Sequence, residues 1–416
     1  MPMHSRRNFM KLMGLGSLVS LTPSLLNGAG NTTPHIVIIG GGFSGATCAK
    51  YLKMWGGSSI NVTVIESNAT YVSPILSNLV LNGQKTTADL SFTYGASSSK
   101  YGITMLHHTV SAIDTTNKSL TLSNSQTLSY DKLVLAAGID FEPVNAYDYN
   151  SVPHAWQSGA QINLLKSHID AMADGDTFVM SIPPSPYRCP PGPYERACVV
   201  ADYLKNTKGY RNCKVIVLDA NPKIIVEEAT FSAAFAKHGV DYRASCDITA
   251  VNDAQKSVSY TQGGASQTQT AKVLNIIPKQ KAAPIVFSAG LVSGGWAPVN
   301  PLSYESTLMN DVYIIGDSQG TGQPKAGHIG NSEAKICADA ILRNLNNVAL
   351  YAAPKTNSAC YSPTSKTEAS WLSAVYRYDS ATQSMVLAHK ESGPSSTQNY
   401  KQMFLWSENL FADTFA

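Results

Sequence analysis

The sequence has 416 residues, which is enough for two or three domains that each bury a core. An apolar fraction of 44% and a charged fraction of 14% are typical of a globular enzyme and exclude a disordered chain. Lys and Arg number 31 against 28 Asp and Glu, and three of the positive residues lie in the first thirty residues, which contain no acid. The remaining chain is balanced, which argues against nucleic acid or an anionic membrane as the main partner.

The N-terminus resembles a twin-arginine (Tat) export signal. Arg6 and Arg7 precede an apolar run, Leu12 to Leu26, that is too short to span a bilayer and contains Pro23. We therefore expect residues 1–30 to be a cleaved signal that delivers a folded, cofactor-loaded protein to the periplasm, with no transmembrane segment. A frayed basic N-terminus is the alternative. The periplasm is oxidising enough to keep a disulfide.

A complete dinucleotide-binding pattern follows. His35 to Ile39 is a continuous apolar run that predicts a buried parallel strand. A glycine motif then leads into a helical pattern, and a second strand ends in an acid 21 residues after the last glycine. In such a unit the first glycine makes the tight turn, the second admits a pyrophosphate, the third permits helix–strand packing, and the acid binds ribose hydroxyls. These positions are Gly40, Gly42, Gly45 and Glu66.

Two further stretches favour FAD over NAD as the dinucleotide. One is a predicted strand that leads into a small-residue turn at Ala137 and Gly138, and the other is a predicted strand that ends at Asp317. In flavoproteins with two dinucleotide-binding domains, the first matches the link between the domains and the second supplies an acid to the ribityl and pyrophosphate region. After it, a predicted helix opens at Lys325, and its N-terminal dipole would face the pyrimidine edge of the flavin. Ordinary buried strands are the alternative for each stretch.

The second βαβ unit departs from the dinucleotide pattern at its first turn. Thr177 to Ile182 predicts a strand, but six prolines follow between positions 183 and 193, where a nicotinamide-binding unit has glycines. An NADH-linked reductase is therefore disfavoured. The turn presents a lone thiol, Cys189, just before a helix that is expected to begin at Gly192-Pro193. That helix N-terminus, together with Arg188 and Arg196, is expected to favour the thiolate.

These patterns divide the chain after the signal into four segments. Residues 34–150 are expected to form the first part of an FAD-binding domain, with an antiparallel meander at 104–128. Residues 151–278 form a second Rossmann-like domain that carries the cysteine loop. Residues 279–348 complete the FAD-binding domain, and residues 349–416 form a C-terminal region without a dinucleotide pattern.

With these residues in place, the chain resembles the flavoprotein subunit of flavocytochrome c sulfide dehydrogenase, within the wider superfamily of sulfide:quinone oxidoreductases and glutathione-reductase-like flavoproteins. The resemblance extends over nearly the whole chain after the signal. Its most specific part is RCPPGPYERA at 188–197, supported by PHAW at 153–156, NIIPKQKA at 275–282, ACYS at 359–362 and DTF at 413–415. It implies an α/β fold with two Rossmann-like dinucleotide-binding domains and a C-terminal α+β region that covers the flavin and forms an interface.

The resemblance also implies roles for individual residues. It makes Cys189 and Cys360 a redox disulfide beside the flavin, Glu195 an acid that handles protons there, and Trp406 an aromatic side chain close to the isoalloxazine. Other interpretations stay open. Cys198 is a rival partner for Cys189, because sequence alone does not establish connectivity. A 189–360 disulfide could be purely structural, Glu195 could serve the helix dipole, and Trp406 could be core.

One departure from the family concerns how FAD is attached. Many family members bind FAD covalently through a cysteine before a Leu-Ser-Asn triplet. In this chain Pro74 occupies the attachment position before the triplet at 76–78, and no other cysteine is near it in sequence. We therefore expect FAD to be held without a covalent bond.

The function that the resemblance implies is periplasmic sulfide oxidation. Hydrosulfide would attack the disulfide, two electrons would pass to FAD, and sulfur or polysulfide would leave. Because the chain contains no C-x-x-C-H motif, the electrons would pass to a separate cytochrome c subunit. One alternative is a sulfide:quinone oxidoreductase at the membrane surface, anchored by the apolar tail at 402–415, although that tail lacks Lys and Arg. Another is an electron-transfer flavoprotein without enzymatic activity. No metal site is expected.

Overall fold

The computed structural model describes residues 33–157 and 159–416, so the expected export signal lies outside the described residues. The α-helices of this part, in chain order, are α1 Phe43–Gly56, α2 Asn78–Leu81, α3 Gly95–Tyr101, α4 Ala160–Asp170, α5 Gly192–Asp202, α6 Glu228–His238, α7 Pro284–Ser288, α8 Gly327–Leu345 and α9 Thr397–Phe415. The strands, in the same order, are β1 His35–Ile39, β2 Asn61–Ile65, β3 Thr70–Val72, β4 Ser91–Thr93, β5 Thr104–Leu106, β6 Val110–Asp114, β7 Ser119–Leu122, β8 Thr127–Ser129, β9 Lys132–Leu135, β10 Ile139–Phe141, β11 Thr177–Ile182, β12 Lys214–Asp219, β13 Asp241–Arg243, β14 Cys246–Asn252, β15 Ser257–Gln262, β16 Ala265–Thr270, β17 Val273–Asn275, β18 Gln280–Ala282, β19 Val312–Ile314, β20 Lys355–Pro363, β21 Ala369–Asp379 and β22 Ser384–Ser396.

The first sheet is parallel and has the strand order β19-β9-β1-β2-β5. Its central strand, β1, is apolar at successive positions because both of its faces are covered. Ile36 and Ile38 pack against α1 and α8 on one face, whereas Val37 and Ile39 join Leu133 in a second core on the other. The carboxyl ends of β1, β2, β9 and β19 meet at one edge, where open α/β sheets bind ligands.

The second sheet is also parallel, with the order β13-β12-β11-β17, and helices α4, α5 and α6 pack with it around the largest core. A three-stranded antiparallel sheet, β14-β15-β16, follows, and Gly263-Gly264 turns the chain between β15 and β16. Two short strands, β10 and β18, pair antiparallel with each other where the chain passes between the first and the second parallel sheet. The prediction of an α/β fold with two Rossmann-like units is confirmed.

The expected meander at 104–128 is wrong in its first strand. β5, at Thr104–Leu106, pairs in parallel with β2 at the edge of the first sheet. The preceding helix, α3, carries the chain back to the edge of the sheet at which β2 begins. β5 therefore joins β2 by a parallel crossover and not by a hairpin. Only β6, β7 and β8 form an antiparallel meander.

The C-terminal region is an antiparallel sheet, β20-β21-β22, followed by α9. The Ser396 side chain caps α9 by accepting the backbone N–H of Asn399 at 3.0 Å. At the other end, Lys50 of α1 donates to the backbone carbonyls of Ala412, Asp413 and Ala416 at 2.8–3.1 Å. These bonds hold α9 beside the first sheet. No helix in the part of the chain that the structure describes is long and apolar enough to cross a bilayer.

Candidate active site

A cavity of about 620 Å³ lies at the carboxyl-end edge of the first sheet and is lined by residues that follow strands of both parallel sheets and by residues of the C-terminal region. Its volume is within the range of about 300–1,000 Å³ that is typical of cofactor and ligand sites. Ten of the twelve residues proposed from sequence line it; these are Gly40, Gly42, Glu66, Ala137, Gly138, Cys189, Glu195, Asp317, Cys360 and Trp406. Gly45 and Lys325 do not.

The glycine motif makes one end of the cavity suitable for a pyrophosphate. Gly40 has a φ of 101°, and a Cβ there would collide with the carbonyl oxygen of Ala136. A Cβ on Gly45 would collide with the carbonyl oxygen of Gly40, so Gly45 lies behind the cavity and lets α1 approach β1. Among the described residues, no side chain caps α1 and no acid lies in its first turn. Its first backbone N–H groups therefore face the site as anion donors.

Glu66 follows β2 at the same end. Its Oε2 accepts the backbone N–H of Gly41 at 2.9 Å, and its Oε1 accepts the backbone N–H of Asn68 at 3.0 Å. The carboxylate is thereby fixed across the glycine turn. Because Oε1 also accepts from the Ser67 hydroxyl and from Nδ2 of Asn68, the remaining acceptor capacity is on Oε2. An acid held at this point can accept hydroxyl groups of a ribose. The residues present at this end of the cavity thus fit a dinucleotide.

An ion pair joins the cysteine loop to the end of β19. The Nε atom of Arg188 donates to Oδ2 of Asp317 at 2.5 Å, and both side chains are largely buried. Gly138 makes room for this pair, because a Cβ there would lie 2.9 Å from a terminal nitrogen of Arg188, and its φ of 78° also favours glycine. The link connects positions 129 residues apart, which a sequence pattern does not reveal.

The backbone of the cysteine loop is held by specific hydrogen bonds. Cys189 has a φ of 55°, in the left-handed region that costs energy for a residue other than glycine. Its N–H donates to the carbonyl of Lys325 at 2.6 Å, and the N–H of Arg188 donates to Oε1 of Gln280 at 2.7 Å. The indole N–H of Trp156 donates to the carbonyl of Arg188 at 3.1 Å. These bonds stabilise the strained conformation and fix the direction of the thiol.

Two cysteines from different regions line the cavity. Cys189 comes from the loop after β11 and Cys360 from β20, and both are free thiols in the structure. Cys198, the rival partner from sequence, is fully buried in α5 and does not line the cavity. The geometry therefore favours Cys360 as the partner, and the redox disulfide itself stays a prediction. Within the described residues, no group of three or more His, Cys, Asp or Glu side chains could hold a metal ion.

The expectation that the Cys189 thiol is shifted toward thiolate is wrong. Burial raises the pKa of Cys189 well above its usual value, and Cys360 and Glu195 raise it further. The charges of the two nearby arginines do not reverse this increase, which burial dominates. Arg188 is paired with Asp317. The guanidinium of Arg196 donates to Oδ1 of Asn78 and Oδ1 of Asn275 and to the carbonyls of His154 and Ala155.

Glu195 lies in the first turn of α5 with its side chain buried at the cavity wall. Its Oε1 accepts a hydrogen bond from Nδ2 of Asn78 at 2.9 Å, and Oδ1 of the same asparagine accepts Nε of Arg196 at 2.9 Å. Burial raises the pKa of Glu195 to about 8, against smaller opposing effects of Asn78 and Arg196. A carboxyl group that is mostly protonated at neutral pH contributes little to the helix dipole, and it is suited to proton transfer.

This raised pKa makes stability depend on pH. In the folded protein the pKa of Glu195 lies above its ordinary value of 4.5. The contribution of Glu195 to the free energy of unfolding is therefore complete below pH 4.5 and is lost as the pH rises through about 8. When the pH is raised from about 5 to about 9, we expect the melting temperature of the Glu195→Gln variant to fall less than that of the wild type. Melting curves of the holoprotein at both pH values measure this difference. Equal losses in the two proteins would contradict the raised pKa.

Trp406 of α9 covers the cavity beside a histidine that the sequence analysis did not select. The indole N–H of Trp406 donates to Nδ1 of His328 at 3.3 Å, and the backbone N–H of Ala359, next to Cys360, donates to the same nitrogen at 3.0 Å. Burial lowers the pKa of His328, which suits a neutral ring that accepts at Nδ1. His328 therefore links α8, β20 and α9 at the cavity wall.

The side chain of Lys325 does not line the cavity, whereas the helix that was expected to open at this residue is present. α8 begins at Gly327, and the ammonium of Lys325 lies 3.6 Å from the centroid of the Trp296 ring, where it donates to the carbonyl of Gln319 at 2.7 Å. Burial lowers the pKa of Lys325 to about 8. The residue contributes to the site through its backbone carbonyl, which accepts the N–H of Cys189. The sequence placed Lys325 correctly before a helix, but a side chain's direction depends on packing.

Other residues at the cavity were also missed. Asn78 lines it and binds both Glu195 and Arg196, although the sequence analysis used its triplet only to locate the attachment position. A buried asparagine in an otherwise apolar helix is a detectable signal for such a role. Tyr71 lines it too, with its ring 5.8 Å from that of Phe43 in an edge-on arrangement. No sequence pattern marks Tyr71.

Comparison with known proteins agrees with this architecture. Residues 34–163 match the family described as pyridine nucleotide-disulphide oxidoreductase. Residues 162–278 match the central part of the family described as sulfide dehydrogenase (flavocytochrome c) flavoprotein chain. A protein of that name from Chlorobaculum thiosulfatiphilum is 44% identical over 48 residues, which are 12% of this chain and 98% of the relative.

Solved structures support the same fold. The sulfide:quinone oxidoreductase of Aquifex aeolicus superposes with a TM-score of 0.77 at 16% identity, covering 92% of each chain. An NAD-dependent persulfide reductase from A. fulgidus superposes with a TM-score of 0.61 at 16% identity, covering 91% of this chain and 77% of the other. At these identities the likeness concerns the fold alone.

The fold and the cavity define an FAD-binding oxidoreductase with two dinucleotide-binding domains. Within that class, the chain belongs to the family of flavocytochrome c sulfide dehydrogenase flavoprotein chains.

Proposed function

We propose that the chain is a periplasmic sulfide dehydrogenase that oxidises sulfide to sulfur or polysulfide and passes the electrons to a cytochrome c subunit. The observation that carries this proposal is the convergence of Cys189 and Cys360 in the cavity that the dinucleotide-binding glycines and Glu66 also line. The name of the Chlorobaculum relative supports the substrate and a cytochrome partner. The twin-arginine pattern supports the compartment.

FAD would be held by the residues whose geometry suits a dinucleotide. The glycine turn and the N-terminus of α1 would bind the pyrophosphate, Glu66 a ribose, and Asp317 the ribityl region. The bound flavin supplies a two-electron acceptor that can return electrons one at a time, which suits a haem partner.

We propose that this FAD is not covalently bound. Pro74 lines the cavity, and the cysteines that line it, within the described part of the chain, are Cys189 and Cys360. We expect urea denaturation followed by ultrafiltration to release all of the flavin into the filtrate. Flavin that stays with the denatured chain would contradict this proposal.

The chain's own part in the reaction is sulfur transfer and proton transfer. Hydrosulfide attacks one sulfur of the Cys189–Cys360 disulfide, so that a new S–S bond forms, the old one breaks, and the other cysteine leaves as a thiolate. Because burial raises the pKa of both thiols, a proton source beside the leaving sulfur makes this step easier. Glu195, whose pKa is raised to about 8, supplies that proton at neutral pH.

Anaerobic titration of the holoprotein with sulfide tests the proposal. We expect the flavin absorbance to bleach with stoichiometric sulfide and to return when oxidised cytochrome c is added. A flavin that dithionite bleaches and sulfide does not would overturn the proposed substrate. Return of the absorbance with a soluble quinone, and not with cytochrome c, would instead support the sulfide:quinone oxidoreductase alternative.

A further inference from the structure

The guanidinium of Arg196 is a buried positive charge at the cavity wall. Only 1% of the residue is exposed, and within residues 33–157 and 159–416 it forms no ion pair with a carboxylate. Its hydrogen bonds go to uncharged oxygen atoms, which belong to Asn78, His154, Ala155 and Asn275. One face of the Trp156 ring lies against it, 4.8 Å from the ring centroid to Cζ. A buried cation without an opposite charge is costly, so it calls for an explanation.

One of these acceptors, Asn78 of α2, connects the guanidinium with Glu195. Its Oδ1 accepts Nε of Arg196 at 2.9 Å, and its Nδ2 donates to Oε1 of Glu195 at 2.9 Å. The same Nδ2 donates to the carbonyl of Gly192, in the first turn of α5, at 3.1 Å. The amide has one orientation, because the reverse would set donor against donor and acceptor against acceptor. The charge of Arg196 therefore polarises the amide toward the carboxyl group of Glu195.

The charges of the surrounding groups make Arg196 the cation that can respond when Glu195 ionises. Burial raises the pKa of the three thiols that interact with Glu195, which are Cys189, Cys198 and Cys360. Burial lowers the pKa of His154, beside Arg196, to about 4, so this ring is neutral. Burial also raises the pKa of Glu227, and the carboxyl group of Glu227 raises that of Glu195 in turn. Arg196 keeps its charge at neutral pH although burial lowers its pKa to about 9.

We propose that Glu195, Asn78 and Arg196 form one proton-donor unit, in which the guanidinium charge, acting through the Asn78 amide, stabilises the carboxylate that proton release leaves behind. This inference rests on the proposed function. When the disulfide breaks, the O–H bond of Glu195 breaks and an S–H bond forms on the freed cysteine thiolate, and no electrons move in this step. Glu195 transfers the proton, and Asn78 and Arg196 are positioning residues that act through it. Without this compensation, a buried carboxyl group would hold its proton too tightly to release it.

Infrared difference spectroscopy of the holoprotein tests the proton-donor unit without sulfide. The carbonyl band of a protonated carboxyl group that is missing in Glu195→Gln identifies Glu195, and the loss of this band with rising pH follows its ionisation. We expect the band in Asn78→Leu to disappear at a pH that is about 1 higher than in the wild type, because the carboxylate loses a hydrogen bond. A band that disappears at the wild-type pH would overturn the inference.

Asn82→Leu is the matched control for this variant. Asn82 is also buried and lies four positions later, but its amide bonds to Gln84 at 2.7 Å and it does not line the cavity. The same substitution at this position should therefore leave the Glu195 band at its wild-type pH. A band shifted equally in both variants would assign the effect to the packing of α2 and would overturn the inference.

Stopped-flow reduction of the flavin by sulfide provides the second readout. We expect Asn78→Leu to slow reduction by about 10-fold at neutral pH and to move the limb of the pH profile that Glu195→Gln abolishes to higher pH. Added to Glu195→Gln, Asn78→Leu should cost about twofold or less, because it acts through the carboxyl group. A further loss of about 10-fold in the double variant would show an independent role of Asn78 and overturn the inference.

Arg196→Met provides the same infrared test if Asn78→Leu does not fold. Methionine can pack against Trp156, as the arginine stem does, but it removes the positive charge. The Glu195 band should again persist to a higher pH than in the wild type, and an unchanged band would overturn the inference. A wild-type protein that sulfide does not reduce would refute the proposed function, whereas the infrared result concerns the proton-donor unit alone, so the two failures are distinguishable.

Discussion

Replacing Cys189 by Ser is expected to lower the rate of flavin reduction by sulfide by about 1,000-fold or more. The hydroxyl of serine cannot form a disulfide with Cys360, so hydrosulfide meets no sulfur that it can attack. Cys360→Ser should cause the same loss for the same reason. Stopped-flow reduction of each holoprotein under anaerobic conditions measures the effect.

The control for these variants is Cys213→Ser. Cys213 is partly exposed, lies before β12 outside the cavity, and donates its S–H to the carbonyl of Ala173 at 3.3 Å, a bond that serine can keep. It should retain the wild-type rate. Dithionite should bleach the flavin in all three variants, which shows that the cofactor is in place. If Cys189→Ser keeps more than a tenth of the wild-type rate, the disulfide is not the electron entry point.

The second large effect is expected from Gly45→Val, which should yield protein without FAD. A Cβ on Gly45 would collide with the carbonyl oxygen of Gly40 and lie 3.2 Å from the Cβ of Ala136. Because both contacts involve backbone or short side chains of the packed sheet, α1 must move away from β1. Overpacking of this kind costs about 1–3 kcal/mol or more, and the displaced helix N-terminus no longer meets the pyrophosphate.

Flavin content and melting temperature of the purified variant check this expectation. Gly95→Ala provides the control, because a Cβ there would have one neighbour within 4 Å, Oγ1 of Thr93 at 3.9 Å. It should keep both flavin content and melting temperature. A Gly45→Val protein that carries stoichiometric FAD would show that the helix–strand contact at this glycine does not shape the site.

How well the sequence predicted each part depends on the range of the interactions involved. The first βαβ unit was predictable because its signal is local: strand, glycine turn, helix and spaced acid all lie within 35–66. Cys189 was recognised because prolines replace the glycines of a related turn. Cys360 could be selected only through the family resemblance, since β20 has no dinucleotide pattern of its own.

The errors concern properties that long-range packing decides. The pKa of Cys189 is raised because burial outweighs the helix N-terminus and because Arg188 is neutralised by Asp317, which is 129 residues away. The Lys325 ammonium turns to Trp296 and away from the cavity. The strand at 104–106 joins the first sheet because β2 offers a free edge there. No local pattern contains this information.

The central claim is that the sulfurs of Cys189 and Cys360 form a reversible bond in the flavin cavity, and disulfide mapping of the oxidised holoprotein by peptide mass spectrometry tests it most directly. We predict one cross-linked pair of peptides that contain Cys189 and Cys360, which separates after reduction with sulfide. A link between Cys189 and Cys198, or two free thiols in the fully oxidised protein, would contradict the account.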